Sequence, residues 1–150
     1  MNGKMRFVDT SVIVYAYDFS ENAKRAKCKA LIEAGFKGEA ELAVSNQILA
    51  ELFVVLTKKI EKPVSVENAK IIVNGIIESD NWVKVNYDSD TVGKAVMLAK
   101  RIKNAHFWDA LIAETMLENN IYEIYTENVK DFKEFPGIKA INPISSPKAC

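Results

Sequence analysis

Hydrophobic and polar positions along the chain form two kinds of segment. Short apolar runs bounded by polar or turn-forming residues predict buried β-strands. Longer stretches in which apolar residues recur every three or four positions predict helices. The predicted strands cover residues 5–8, 42–44, 82–85 and 121–125, with a further candidate at 138–141. The predicted helices cover residues 11–17, 21–34, 45–60, 65–78, 88–102 and 104–120.

Local signals mark several helix ends. Gly35 and Pro63 are expected to end two helices. The expected N-caps are Ser20, Ser45, Ser65 and either Asp88 or Ser89. Helices that alternate with strands predict an α/β fold with a small, mainly parallel sheet of four or five strands. We expect a single domain over residues 1–142, followed by a loose tail at 143–150.

Composition and charge argue against a protein that binds nucleic acid through an overall positive charge. A chain of 150 residues can form one core without a disulfide or a structural metal. Lys and Arg together number 20, as do Asp and Glu, so the formal net charge is zero. Any contact with nucleic acid must therefore come from local basic patches. Two such patches lie near predicted helix ends, at 58–62 and 100–103. Cations at these positions also interact favourably with the negative end of the helix dipole.

The cysteine, histidine and hydropathy patterns argue against a zinc site, a disulfide framework and a membrane span. Cys28 and Cys150 are far apart and His106 is the only histidine, so neither a zinc site of ordinary spacing nor a disulfide framework is expected. The longest apolar run, residues 48–56, is interrupted by Glu51 and is too short to span a bilayer. We therefore expect a cytoplasmic protein without membrane contact.

Three carboxylates occupy unusual places in the hydrophobic pattern. Asp9 ends the first predicted strand beside Thr10 and Ser11, where it could hold a cation or serve as an N-cap. Glu51 interrupts an apolar helix face and must be paired, with a lysine or with a metal. Asp109 also lies in an apolar run; its alternative role is that of a first-turn acid that complements the helix dipole.

A polar segment, Thr126–Phe132, follows the strand predicted at 121–125. It begins at the carboxyl end of that strand, as Asp9 does for the first strand, so the two approach each other if the strands are neighbours. An ordinary polar turn is the alternative. Carboxylates gathered at one sheet edge cannot all ionise without a cation, and Mg²⁺ and Mn²⁺ prefer such oxygen ligands.

These segments together resemble the PIN-domain ribonucleases, including the VapC toxins of prokaryotic VapBC pairs. The resemblance spans roughly residues 5–141 and rests on four pieces in order: residues 7–11, 45–52, 107–113 and 125–132. It implies a Rossmann-like parallel sheet flanked by helices. It also implies hydrolysis of RNA phosphodiesters by a water that Mg²⁺ or Mn²⁺ activates.

The resemblance also implies roles for particular residues. Asp9 and Asp109 would be metal ligands, and Glu51 would bind the metal directly or through water. Thr126 would support the pocket by hydrogen bonding, with Thr10 and Ser11 beside it. Family members carry the fourth acid at one of two positions, which here are Asn128 and Asp131. Asp131 is the favoured ligand, Asn128 is a neutral neighbour, and Glu127 remains an alternative. His106 lies three residues before Asp109, but local packing or a surface position is favoured over a general base.

Two other functions compete with a ribonuclease. A phosphotransferase that uses Asp9 as nucleophile is disfavoured, because Asp9 is followed by Thr10-Ser11-Val12 rather than by a second aspartate two positions on. A catalytically inactive PIN-like domain that binds RNA or protein is the main alternative, because Asn128 is not an acid. The expected partners are an RNA substrate, a small antitoxin protein and a second copy of the chain in a homodimer.

Overall fold

The structure, a computed structural model, describes residues 4–145. The strands of this part of the chain are β1 Arg6–Val8, β2 Leu42–Ser45, β3 Trp82–Val85, β4 Glu123–Tyr125 and β5 Lys139–Ile141. The α-helices are α1 Thr10–Tyr15, α2 Asn22–Phe36, α3 Asn46–Lys58, α4 Val66–Glu78, α5 Ser89–Arg101 and α6 Phe107–Glu118. A 3₁₀ turn, Val129–Asp131, follows β4. Part of the predicted loose tail, residues 146–150, lies outside the described residues.

The strands form one sheet in the order β3-β2-β1-β4-β5, and each neighbouring pair is parallel. The prediction of an α/β fold with a small parallel sheet is therefore confirmed. The chain runs from β1 through β2 to β3 on one side, then continues with β4 and β5 on the other. This reversal leaves a crevice between the carboxyl ends of β1 and β4, where open α/β sheets bind ligands.

Hydrophobic side chains from the strands form the centre of the core. Phe7, Val8, Ala43, Val44 and Ile124 have no exposed surface. Burial of a large aliphatic or aromatic side chain contributes about 1.5–3 kcal/mol to folding. These side chains therefore stabilise the central strands, whose carboxyl ends border the crevice. Among residues 4–145, no helix is both long and apolar enough to cross a membrane.

Local capping signals located three helix starts correctly. Ser45, Ser65 and Asp88 each accept a hydrogen bond from a backbone N–H in the first turn of α3, α4 and α5. The predicted cap at Ser20 is wrong. Helix α2 begins one residue later than expected, and the Ser20 hydroxyl donates to Asp18 Oδ1 at 2.6 Å instead.

Gly35 does not end α2, which continues to Phe36. A Cβ atom at Gly35 would lie 2.6 Å from Leu42 Cδ1 and 3.2 Å from the Trp82 ring. The glycine therefore allows α2 to pack closely on β2 and β3. Its signal in the sequence is the same as that of a helix terminator, so the pattern alone could not distinguish the two roles.

The start of α6 also differs from the prediction. The helix was expected from Asn104 but begins at Phe107. Asn104 has a φ of +67°, a left-handed conformation that asparagine tolerates and a continuing helix does not. The shift places Asp109 in the first turn of α6.

Candidate active site

Asp9 lies where β1 ends and α1 begins. Its Oδ1 accepts a hydrogen bond of 2.8 Å from the backbone N–H of Thr10, so Asp9 is the N-cap of α1. Its Oδ2 accepts one of 2.7 Å from Thr126 Oγ1. The residue is only 9% exposed. Burial raises the pKa of Asp9; these hydrogen bonds oppose the rise, and the charges of Glu51 and Asp131 add to it. Asp9 thus combines a capping role with a place in the crevice.

Thr126 fixes the other side of the crevice, at the end of β4. The residue is fully buried, and its backbone N–H donates to Ile141 O on β5 at 2.9 Å. Its hydroxyl accepts a 3.0 Å hydrogen bond from the backbone N–H of Asn128 while it donates to Asp9. The hydroxyl proton is therefore directed towards the Asp9 carboxylate.

Glu51 reaches the same region from α3. Its Oε1 accepts from Thr10 Oγ1 at 2.8 Å, and its Oε2 accepts from Gln47 Nε2 at 3.2 Å. Neutral donors thus occupy the place of the lysine partner that the sequence left open. The Thr10 side chain links Glu51 to the segment that carries Asp9.

Asp109 enters from the first turn of α6, where it is partly buried. Burial and the negative charges of Asp9 and Asp131 raise the pKa of Asp109 to about 6. A smaller opposing effect comes from His106, which is exposed and makes no capping hydrogen bond. Asp109 is thus both a first-turn acid and a member of a mutually repelling group of carboxylates.

The 3₁₀ turn after β4 holds Asp131. Two buried rings, Phe132 and Phe135, pack edge to face beyond it with centroids 5.8 Å apart, which anchors the turn to the core. The Asp131 charge raises the pKa of both Asp9 and Asp109, so its carboxylate lies close enough to affect both acids.

Glu127 has a separate partner set. Its two carboxylate oxygens accept hydrogen bonds from Tyr15 Oη at 2.7 Å and from Lys24 Nζ at 2.9 Å. Burial alone would raise the pKa of Glu127, but these two donors lower it overall. The side chain is compensated by an ion pair within the fold, whereas Asn128 lines the crevice.

An open cleft of about 470 Å³ lies over this edge of the sheet. We call it the acidic cleft; its polar lining includes Asp9, Asp18, Glu21, Glu61, Asp109 and Asn128. Asp18, Glu21 and Glu61 were not among the candidate site residues of the sequence. Asp18 and Glu21 lie just before α2 and Glu61 lies just after α3, so only tertiary packing brings them to one cleft.

The residues fit a divalent cation held partly through water. Among residues 4–145, no group of three or more His, Cys, Asp or Glu side chains is arranged to hold a metal ion directly. Mg²⁺, however, commonly binds through one or two carboxylates and keeps several waters. Burial and the neighbouring acids raise the pKa of Asp9 and Asp109, a state that a bound cation would relieve, and the ligand atoms that these side chains offer are all oxygen. The Ser11 hydroxyl, buried and without a hydrogen-bond partner in the described chain, also lies in the cleft lining.

Fold and site together define a parallel α/β domain with carboxylates gathered in the crevice beside its central strand. The sequence model of the PIN domain matches residues 6–138. The chain therefore belongs to the PIN domain family, as its sequence motifs suggested. Comparison with curated protein sequences gives no significant match.

Solved structures with the same fold include several proteins of toxin–antitoxin pairs. VapC20 of Mycobacterium tuberculosis, described as a sarcin–ricin loop cleaving toxin, superposes with a TM-score of 0.68 at 18% identity, covering 90% of this chain and 98% of its own. A toxin–antitoxin complex from Klebsiella pneumoniae gives 0.64 at 21% identity, with coverages of 92% and 97%. VapBC2 of Rickettsia felis, bound to promoter DNA, gives 0.62 at 20% identity, with coverages of 92% and 98%. At these identities the likeness establishes the fold.

Proposed function

We propose that the protein is a metal-dependent endoribonuclease. The observation that carries the proposal is that Asp9, Glu51, Asp109 and Asp131 come close enough to affect one another electrostatically. Burial first, and then the charges of the neighbouring acids, raise the pKa of Asp9 and Asp109. Structural ion pairs remove such repulsion in most proteins, whereas a site that binds a cation retains it. Membership of the PIN domain family supports the same conclusion.

The carboxylates would divide the work of binding and positioning. Asp9 and Asp109 would hold Mg²⁺ or Mn²⁺, with Glu51 and Asp131 acting directly or through water. A bound divalent cation supplies Lewis-acid stabilisation of the phosphoryl oxygens and lowers the pKa of water. Glu51, with both oxygens fixed by Thr10 and Gln47, would orient the attacking water.

Neighbouring hydroxyls would hold the acids in place. Thr126 fixes one Asp9 oxygen and the backbone N–H of Thr10 fixes the other, so Asp9 cannot rotate freely away from the cleft. Asn128 and the unpartnered Ser11 hydroxyl would contact water or the scissile phosphate. His106 is exposed at the start of α6 and has no assigned role in this scheme.

The biological setting that we propose is the toxin of a toxin–antitoxin pair in the cytoplasm. The support is the fold that this chain shares with the toxin–antitoxin complex from Klebsiella pneumoniae, where the match covers 97% of the other chain. A small antitoxin protein and a second copy of the chain are the expected protein partners. A monomeric mass by light scattering at micromolar concentration would contradict the homodimer.

Cleavage of single-stranded RNA with analysis of the product ends tests the activity. We expect Mn²⁺-dependent products with 5′-phosphate and 3′-hydroxyl ends, since water rather than the ribose 2′-hydroxyl is the nucleophile. Asp109→Asn should reduce cleavage at least ~100-fold, the scale for loss of a positioned metal contact. His106→Ala is the matched control on the same helix start and should leave cleavage largely intact. Full activity in EDTA, or 2′,3′-cyclic phosphate ends, would overturn the mechanism.

The alternative of an inactive binding domain rests on the neutral Asn128 and on the spread of the acids, which do not form a direct metal site. Calorimetric titration with Mn²⁺ separates the two functions. A nuclease should bind Mn²⁺ in an Asp109-dependent manner, whereas absence of both Mn²⁺ binding and cleavage would favour the inactive domain.

A further inference from the structure

A second cleft lies directly beside the acidic cleft. Its volume is about 510 Å³, and most of its lining is apolar. We call it the aromatic cleft; the lining residues that matter here are Asn46, Gln47, Val54, Lys59, Tyr87 and Trp108. Thr10 and Lys59 line both clefts, and Glu51 lines this one. A ligand bound in the acidic cleft could therefore extend without a break into the aromatic cleft.

Trp108 presents an exposed ring at this position. It is 57% exposed although it precedes Asp109 in the first turn of α6, and its ring packs edge to face against Phe107 with centroids 5.4 Å apart. Tyr87, on the loop after β3, also lines the cleft, and its backbone N–H donates to Asn46 Oδ1 on α3 at 3.1 Å. Two aromatic side chains from different elements thus face one cavity of the size that small ligands occupy.

Gln47 supplies a directional polar group in the same cavity. It is only 5% exposed, and its amide nitrogen donates to Glu51 Oε2 at 3.2 Å and to the Trp108 backbone oxygen at 3.1 Å. Both partners are acceptors, so the orientation of the amide is fixed. Its Oε1 is buried and has no hydrogen-bond partner among residues 4–145. An unpaired buried acceptor is costly, so a donor from a ligand in this cleft would stabilise the site.

We propose that the aromatic cleft is a nucleobase-binding subsite for the nucleotide next to the scissile phosphate. The base stacks on Trp108 and Tyr87, and a ring or exocyclic N–H of the base donates to Gln47 Oε1. Lys59, which lines both clefts and forms no salt bridge within the described chain, neutralises the intervening phosphate. This inference rests on the proposed function for the identity of the ligand as single-stranded RNA.

Binding measured in EDTA tests the subsite independently of cleavage. The probe is a fluorescein-labelled single-stranded RNA hexamer of adenosine, followed by anisotropy. Trp108→Leu should weaken binding about 10-fold, the scale for loss of base stacking, while Trp108→Phe should stay within about threefold of the wild type. Tyr122→Leu removes another exposed aromatic, at the opposite edge of the sheet, and should have no effect. A hexamer that carries purine in place of adenine lacks the exocyclic amino group and should bind more weakly to the wild type.

The outcomes separate this inference from the proposed activity. RNA binding that depends on Trp108 without any cleavage would support the subsite and contradict the nuclease. In a cleaving protein, Trp108→Leu should raise KM with little change in kcat, because the ring binds the substrate away from the reacting atoms. Unchanged binding and unchanged KM in a folded Trp108→Leu protein would overturn the subsite. So would conversion of a dimeric wild type to a monomer by Trp108→Leu, because a second copy would then occupy the cleft.

Discussion

The same two neighbouring strands carry buried acids at both ends, and the two ends treat negative charge in opposite ways. At the amino ends of β1 and β4, Arg6 pairs in register with Glu123, and its Nε donates to Glu123 Oε1 at 2.9 Å. Lys4 donates to the other oxygen at 3.0 Å. At the carboxyl ends, the hydrogen-bond donors to the Asp9 side chain among residues 4–145 are Thr126 Oγ1 and the N–H of Thr10, neither of which is charged.

The pKa values follow this difference. Hydrogen bonds from Arg6 and Lys4 lower the pKa of Glu123, although the residue has as little exposed surface as Asp9. Burial and neighbouring acids raise the pKa of Asp9 and Asp109. A small exposed area alone therefore does not set the direction in which the pKa of an acid shifts. The distinguishing property is whether the fold itself supplies the countercharge.

The largest expected difference between the two ends concerns cleavage. Asp9→Asn and Glu51→Gln should each reduce Mn²⁺-dependent RNA cleavage at least ~100-fold, because each removes a charge or a water-positioning contact at the site. Glu123→Gln, the matched control on the same strand pair, should change the rate by less than about threefold when equal amounts of folded protein are compared. An equal loss in all three variants would mean that the acids act through stability alone.

Within the site, Asp131→Asn should reduce cleavage clearly more than Asn128→Ala. Asp131 contributes charge towards both Asp9 and Asp109, whereas Asn128 contributes only a neutral contact in the cleft. Single-turnover cleavage rates at saturating Mn²⁺ measure the difference. The reverse order would assign the fourth metal-site position to Asn128 and would leave Asp131 without a role in cleavage.

Much of this arrangement follows from local sequence. Asp9 and Thr126 each come directly after a short apolar strand, so a parallel sheet necessarily places them at one edge, and their contact needed only adjacency of β1 and β4. The capping boundaries at Ser45, Ser65 and Asp88 follow equally from local hydrogen bonding. The neutral partners of Glu51 and the approach of Glu61 to the cleft depend on how helices pack, and a single sequence carries no local signal for either.

The stability effects should have opposite signs at the two ends in metal-free protein. Asp109→Asn should raise the free energy of unfolding by about 1–2 kcal/mol, because it removes a carboxylate that burial and repulsion penalise. Glu123→Gln should lower it by about 1 kcal/mol, since Arg6 and Lys4 lose their countercharge. Urea denaturation at pH 7 measures both. A lower stability of Asp109→Asn would show that this acid is mainly structural.

As the pH rises, Asp109→Asn should gain stability relative to the wild type, and Glu123→Gln should lose it. The pKa of Asp109 is about 6 in the folded state and lower in the unfolded chain, so its ionisation destabilises the fold as the pH rises from about 4 through 6. The gain from Asp109→Asn should therefore be small at pH 4 and complete above pH 7. The pKa of Glu123 is lowered by folding, so the cost of Glu123→Gln should be present at neutral pH and disappear as the pH falls through that value. Urea denaturation across this range would contradict the assignment if, as the pH rises, Asp109→Asn lost stability relative to the wild type or Glu123→Gln gained it.

The smallest expected effect is on the pKa of Asp109, which should respond differently to the loss of the Asp131 charge and of the Glu51 charge. The Asp131 charge raises the pKa of Asp109 more than the Glu51 charge does, and neither matches the effect of burial. Carboxyl ¹³C NMR titration of metal-free protein should therefore show a lower pKa for Asp109 in Asp131→Asn, and a smaller decrease in Glu51→Gln. Glu123→Gln lies at the other end of the strands, where its charge is already neutralised by Arg6 and Lys4, and should leave the Asp109 pKa unchanged. If Asp131→Asn also leaves it unchanged, the 3₁₀ turn does not direct its carboxylate towards the cleft, and the fourth acid of the site must lie elsewhere.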